Sequence, residues 1–115
     1  MKYHQKDIVE VMYPVGNNQL LPHPALIISA DEVYDVEEYY IMLMLSTSKM
    51  NPDFAFELTP NMFNYKTDKI SFAKCQLIEI FEENEIRTRF GSLKNEAFQN
   101  LLTFMNKVTF NKICK

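Results

Sequence analysis

The chain has 115 residues, 47% of them hydrophobic and 23% charged, with a net charge of −3. That length fits one domain, residues 1–115, and the apolar share excludes a disordered chain. Two cysteines are too few for a disulfide scaffold, no apolar run reaches the ~20 residues that cross a bilayer, and the excess of acids argues against nucleic-acid binding by bulk charge. Met1 to Asp7 lacks the apolar stretch of a secretory signal, so the expected setting is the cytoplasm, with no membrane partner.

Taken in order, Asp7–Tyr13 alternates, with Val9, Val11 and Tyr13 on one face, and predicts a strand ending at Pro14. Gly16-Asn17-Asn18 predicts a loop. Pro22-His23-Pro24 pushes the chain into an extended conformation, and Ala25–Ser29 predicts a short strand apolar on both faces. Asp31–Glu38 holds five acids in eight residues and predicts a solvated connection. Tyr39–Leu45 predicts a strand covered on both sides, the second cover being a helix or another subunit. Phe54–Leu58 predicts a fourth strand, Thr59-Pro60 a helical turn over residues 61–64, and Ile70–Phe81 a long or bent strand. Glu82–Glu85 is a polar turn and Ile86–Phe90 a short strand. Gly91-Ser92 breaks the pattern, with Ser92 a candidate helix cap.

The last element carries the clearest pattern. Leu93, Ala97, Leu101, Met105 and Val108 recur at helical spacing, broadened by Phe98, Leu102 and Phe104. This predicts an amphipathic helix of about 17 residues. Five or six short strands and one terminal helix give a mainly β fold, a small barrel or a strongly curled sheet.

The order of these pieces resembles the MazF/PemK (Kid-like) toxins of bacterial type II toxin–antitoxin systems. The matching residues are Gln5–Val11, then Pro22–Ser29, then Ser46-Thr47-Ser48 closing an apolar strand. Lys69-Ile70-Ser71, Gln76–Ile80 and Phe90–Leu93 follow. The resemblance implies an SH3-like barrel with a C-terminal helix, usually a homodimer. It also implies a metal-independent endoribonuclease (an mRNA interferase) that cuts single-stranded RNA, and a small antitoxin protein whose tail covers the RNA groove. The alternative is a catalytically inactive barrel of this type that binds RNA or an antitoxin-like partner. CcdB-like gyrase poisons share the fold, but the resemblance would then call for a tryptophan near the C-terminus, and the chain has none.

Metal-free RNA cleavage needs a base for the 2′-hydroxyl, an acid for the leaving 5′-oxygen and donors for the phosphorane charge. No His/Cys/carboxylate cluster stands at metal-ligand spacing, so no cofactor is expected. Where the family usually has Arg before the proline of its second strand, this chain has His23. An imidazole, with an ordinary pKa of about 6.5, suits proton transfer near neutrality. His23 is the candidate base or cationic donor, and also fits an exposed loop histidine. Thr47, which the family keeps as Thr or Ser, is the candidate donor to a phosphate oxygen, with Ser46 and Ser48 as neighbours; the same cluster could simply cap backbone groups. Lys49 and Lys74 are candidate phosphate contacts, and Lys66 and Lys69 could share their groove. Some family members carry an acid in the strand matching Phe72–Leu77, which here offers Lys74 and Cys75. Arg87 and Arg89, the only arginines, share one strand face and fit either RNA contacts or a solvated surface. Tyr39, Tyr40, Tyr65 and Phe72 could stack bases but fit a core equally well, and Met42 and Met44 fit packing or a dimer patch. Cys75 fits a buried apolar site and Cys114 the tail, with no disulfide between them.

Overall fold

The computed structural model describes residues 1–110. Six strands form one antiparallel sheet: β1 (Asp7–Val15), β2 (Gln19–Ile27), β3 (Tyr39–Ser46), β4 (Ala55–Leu58), β5 (Ser71–Glu82) and β6 (Ile86–Ser92). Their spatial order is β4-β5-β3-β2-β1-β6. Helix α1 (Asp31–Glu37) joins β2 to β3, and α2 (Asn95–Met105) follows β6. The sheet is curled and barrel-like, but β4 and β6 do not pair. The seam is tied instead by the segment after β4: Phe63 bridges Leu93, the Asn64 amide donates to Ser92 O at 2.8 Å, and the Lys94 amide donates to Met62 O at 2.8 Å.

Both sheet faces carry a core. On one face Ile8, Leu26, Leu43, Leu45, Leu58 and Cys75 pack against Leu93, Ala97, Phe98, Leu101 and Met105. On the other, Val9, Val11, Ala25, Ile27, Met42 and Met44 pack with Tyr40, Phe81 and Ile86. Full burial of each such side chain contributes about 1.5–3 kcal/mol. Met42 and Met44 are therefore packing residues, not a surface patch. The expected helix cover for β3 is present in part, since Tyr34 of α1 packs on this face and stacks on Tyr40. The rest of the cover comes from the curl of the sheet itself, with Tyr3.

Several elements differ from the sequence reading. The acidic connection is a helix: Ala30 is extended before it, Asp31 and Glu32 sit in its first turn where the dipole favours acids, and Glu38 closes it in a left-handed conformation (φ 60°). The Tyr34 ring stacks on Tyr40 at 4.7 Å, tethering α1 to β3. At its start, the Gln5 amide (3.0 Å) and the His4 ring (2.9 Å) bind the Asp31 carboxylate and hold its pKa below the ordinary range. Strand β2 begins six residues earlier than Ala25, forming a hairpin with β1 through Tyr13–Leu21 and Val11–His23 pairs. Its ladder to β3 starts only at Ala25, so Pro22 and Pro24 leave no ladder bond to β3 unmade. Ser92 does not cap α2. It ends β6, its hydroxyl accepts from Asn64 Nδ2 at 3.0 Å, and Lys94 holds the N-cap position. Leu93 lies in the bridge to Phe63, so α2 starts at Asn95 and runs on as a π-helical turn over Asn106–Phe110.

Candidate active site

The antiparallel β2–β3 ladder ends at the pair Ala25–Met44, with the earlier part of β2 and the last residues of β3 running on from that end. Ala25 pairs with Met44, and two residues further along each strand stand His23 and Ser46, on the same sheet face by alternation. His23 Nδ1 lies 3.0 Å from Pro24 O. A carbonyl only accepts, so this contact assigns the proton of the neutral ring to Nδ1 and leaves the Nε2 lone pair open. The ring also packs against Tyr13 with centroids 5.5 Å apart. Tyr13 in turn donates its hydroxyl to Glu79 Oε1 at 3.2 Å. Burial, then the Glu79 charge, push the Tyr13 pKa up, so its hydroxyl stays a donor. Imidazole, phenol and carboxylate thus form one chain across β2, β1 and β5.

The hydroxyl cluster follows directly at the end of β3. The Ser48 amide donates to Ser46 Oγ at 3.0 Å, an ST turn that exposes Thr47 and Ser48. The Ser46 oxygen keeps its own O–H free to donate. Lys49 Nζ sits 5.9 Å above the Phe72 ring, and Phe72 pairs with Ser46 across the β3–β5 ladder. Lys74 differs from the other candidates. It is only 6% exposed, and its ammonium donates to Met50 O at 2.6 Å. In this conformation it straps down the 47–50 turn. Two residues on, Gln76 Oε1 is the one buried side-chain polar atom without a partner among the described residues. A free imidazole nitrogen can take a proton, and hydroxyl donors can bind a phosphate oxygen.

Other candidates lie apart from this cluster or inside the core. Arg89 Nε pairs with the buried Asp7 carboxylate at 3.0 Å, and Arg87 Nε stands 4.0 Å from Glu10. Both arginines remain half-exposed on β6, the outermost strand on that side. Lys66 and Lys69 are exposed in the segment before β5. Tyr40 is buried, its hydroxyl given to Glu83 at 2.8 Å, so it stacks no base. Tyr39 is half-buried opposite Glu82. Tyr65 packs on Phe63 and against Gly91. Cys75 is buried and its thiol is pushed up to about 11 by burial, so it is a poor nucleophile. Cys114 lies outside the described residues. Among the described residues no three His, Cys, Asp or Glu side chains are grouped to hold a metal ion. No helix among them is long and apolar enough to cross a membrane.

Sequence reasoning overlooked Tyr13, Glu79 and Gln76 as site residues. The available signal was Glu79, a lone carboxylate in the run Ile78-Glu79-Ile80. Nothing in the sequence marks Gln76.

Comparison with known proteins bears on the family and the fold. The profile of the family described as PemK-like, MazF-like toxin of type II toxin–antitoxin system matches residues 4–108. The chain belongs to that family. Its fold is similar to that of an endoribonuclease solved with its cognate antitoxin from a mycobacterial species. There the TM-score is 0.75 at 12% identity, covering 97% of this chain and 99% of that one. It is similar as well to a mycobacterial endoribonuclease (TM-score 0.72, 12% identity, 94% and 91% covered). A third likeness is to the MazE–MazF complex of Deinococcus radiodurans (TM-score 0.71, 8% identity, 93% and 95% covered). No curated protein matches the chain significantly by sequence.

Proposed function

We propose that this protein is the toxin of a type II pair and a metal-independent endoribonuclease acting on single-stranded RNA in the bacterial cytoplasm. The observation that carries the proposal is the antiparallel β2–β3 register, in which His23, with Nε2 open, and the Ser46–Ser48 hydroxyl turn lie toward the same end of two paired strands. His23 takes the 2′-hydroxyl proton through Nε2. The freed 2′-oxygen attacks the adjacent phosphorus to give a 2′,3′-cyclic phosphate, and the bond to the 5′-oxygen breaks as that oxygen takes a proton from water. The Thr47 and Ser46 hydroxyls donate to the non-bridging oxygens where charge develops. Lys49 adds positive charge beside them. Lys74 supports the turn from beneath, and it contacts phosphate only when its bond to Met50 O opens.

Two partners accompany this reading. Family membership supports a small antitoxin encoded alongside. The outward strip of Ile41, Ile78 and Ile80, with Ile80 58% exposed, supports a homodimer. A non-catalytic barrel has one observation in its favour: Lys74 and Arg89 are already committed to protein oxygens.

Purified protein should cut single-stranded RNA in EDTA and leave 5′-hydroxyl ends, and its induction should arrest bacterial growth. Intact RNA together with unhindered growth would leave only the binding barrel.

A further inference from the structure

Beside His23 lies a groove that the cleavage chemistry does not use. It encloses about 420 Å³ between the β1–β2 hairpin and the far half of β5, and is lined by Met12, Tyr13, Pro14, Leu20, Glu79, Phe81 and Glu85. We propose that this groove is a nucleobase pocket that selects guanine next to the scissile phosphate. The inference rests on the RNA-cleaving reading and names the base that the same site prefers.

Three features carry it. The walls are aromatic and aliphatic, suited to the flat face of a base, and the Tyr13 ring is shared with His23, so an occupant lies one ring from the reactive nitrogen. The polar group on the β5 side is Glu79. Its Oε1 is fixed by the Tyr13 hydroxyl, which leaves Oε2 and the remaining lone pairs as acceptors only. Guanine presents adjacent N1–H and N2–H donors to such a carboxylate. Uracil presents one N–H flanked by two carbonyls, which the carboxylate repels. Glu85 lines the groove too, its Oε1 accepting the Glu82 amide at 2.8 Å, but only Glu79 is bonded to the Tyr13 wall against which the base lies. At the rim, Arg87 Nη1 reaches within 3.7 Å of the Met12 sulfur. Its half-exposed guanidinium is only loosely held by Glu10, at 4.0 Å, and stands ready for a phosphate of the same nucleotide. Aromatic wall, acceptor edge and cationic rim together match a nucleotide better than they match a peptide.

The test is an NMR-monitored titration of the His23→Ala protein with two RNA heptamers: heptauridylate, and the same strand with one central guanosine. The guanosine strand should bind about 10-fold tighter or more and shift the Tyr13, Leu20 and Phe81 resonances, since a good bidentate contact discriminates by roughly 1–3 kcal/mol. In Glu79→Gln the amide oxygen still accepts from Tyr13 while its NH2 faces the base, so the preference should fall to within about 2-fold. Equal affinities, or shifts confined to the Lys49–Phe72 surface, would overturn the pocket; so would a groove that responds to a basic peptide but not to RNA. Wild-type cleavage of the same strands separates the two claims. Guanosine-selective binding without cleavage refutes the nuclease and leaves the pocket, whereas cleavage indifferent to guanosine, with no selective binding, refutes the pocket alone.

Discussion

Replacing His23 with alanine should slow RNA cleavage by about 100-fold or more, within the range lost when a general acid or base is removed. The substitution should leave the fold intact. His23 is half-buried, and its recorded contacts are with its neighbour's carbonyl and one face of Tyr13. Its loss therefore costs well under ~2 kcal/mol of stability. Folding and activity should separate cleanly in this variant: an unchanged melting temperature with a collapsed single-turnover rate. A wild-type rate from His23→Ala would remove the imidazole from the mechanism, whatever became of Thr47.

The second large effect lies at the seam. Gly91 sits in β6 opposite Ile8 with φ of 157°, and a Cβ there would fall 2.2 Å from Tyr65 Cδ1. No carbon tolerates that distance, so the Tyr65 ring must move off the face it shares with Phe63, 5.2 Å away. That shift disturbs the segment through which residues 62–64 hold residues 92–94 and close the barrel. Gly91→Ala is expected to cost about 3 kcal/mol, combining overpacking with strain at a glycine-favouring φ. In a domain of this size that lowers the melting temperature by roughly 10–20 °C. A double-mutant cycle with Tyr65→Ala checks the cause. With the ring gone, the added cost of Gly91→Ala should shrink to the backbone part. Full additivity would show that the clash is not what makes glycine necessary.

Strand and helix positions were legible where burial imposes a period. The β3 run Tyr39–Leu45 lies close to where alternation sets it, and the stripe from Leu93 to Val108 overlaps α2, which spans Asn95–Met105 and continues as a π-helical turn. Helix α1 was hidden because none of its residues is buried; it is held by one aromatic stack from Tyr34, by the bonds of Asp31 to His4 and Gln5 and by the C-cap at Glu38, none of which has a period. The early start of β2 was hidden by Pro22 and Pro24, which break a strand only where a ladder needs their amides. Leu102, placed on the apolar stripe by spacing, is 37% exposed, whereas Phe98 and Phe104, which broaden the same stripe, pack with the core.

The site was legible only in part, for a different reason. The Thr47 turn and His23 could each be singled out from local sequence and the family resemblance. Whether they share one end of the sheet depends on β2–β3 register, which pairs residues such as Ala25 and Met44, far apart in the chain. The Tyr13–Glu79 bond joins residues 66 apart, and no local pattern encodes it. Lys74 illustrates the converse: alternation assigns it a face, but it is the turn folding over that face that buries its ammonium against Met50 O.

Whether imidazole and hydroxyls serve one phosphate is best measured with an uncleavable strand. A short RNA carrying a 2′-O-methyl group at the cut site cannot form the attacking alkoxide, so it stays bound while chemical shifts are recorded. The side chains of His23, Ser46 and Thr47 should respond together, saturating at one RNA concentration. Movement of the Thr47 turn with His23 silent, or of the Arg87–Arg89 face alone, would contradict a shared active centre.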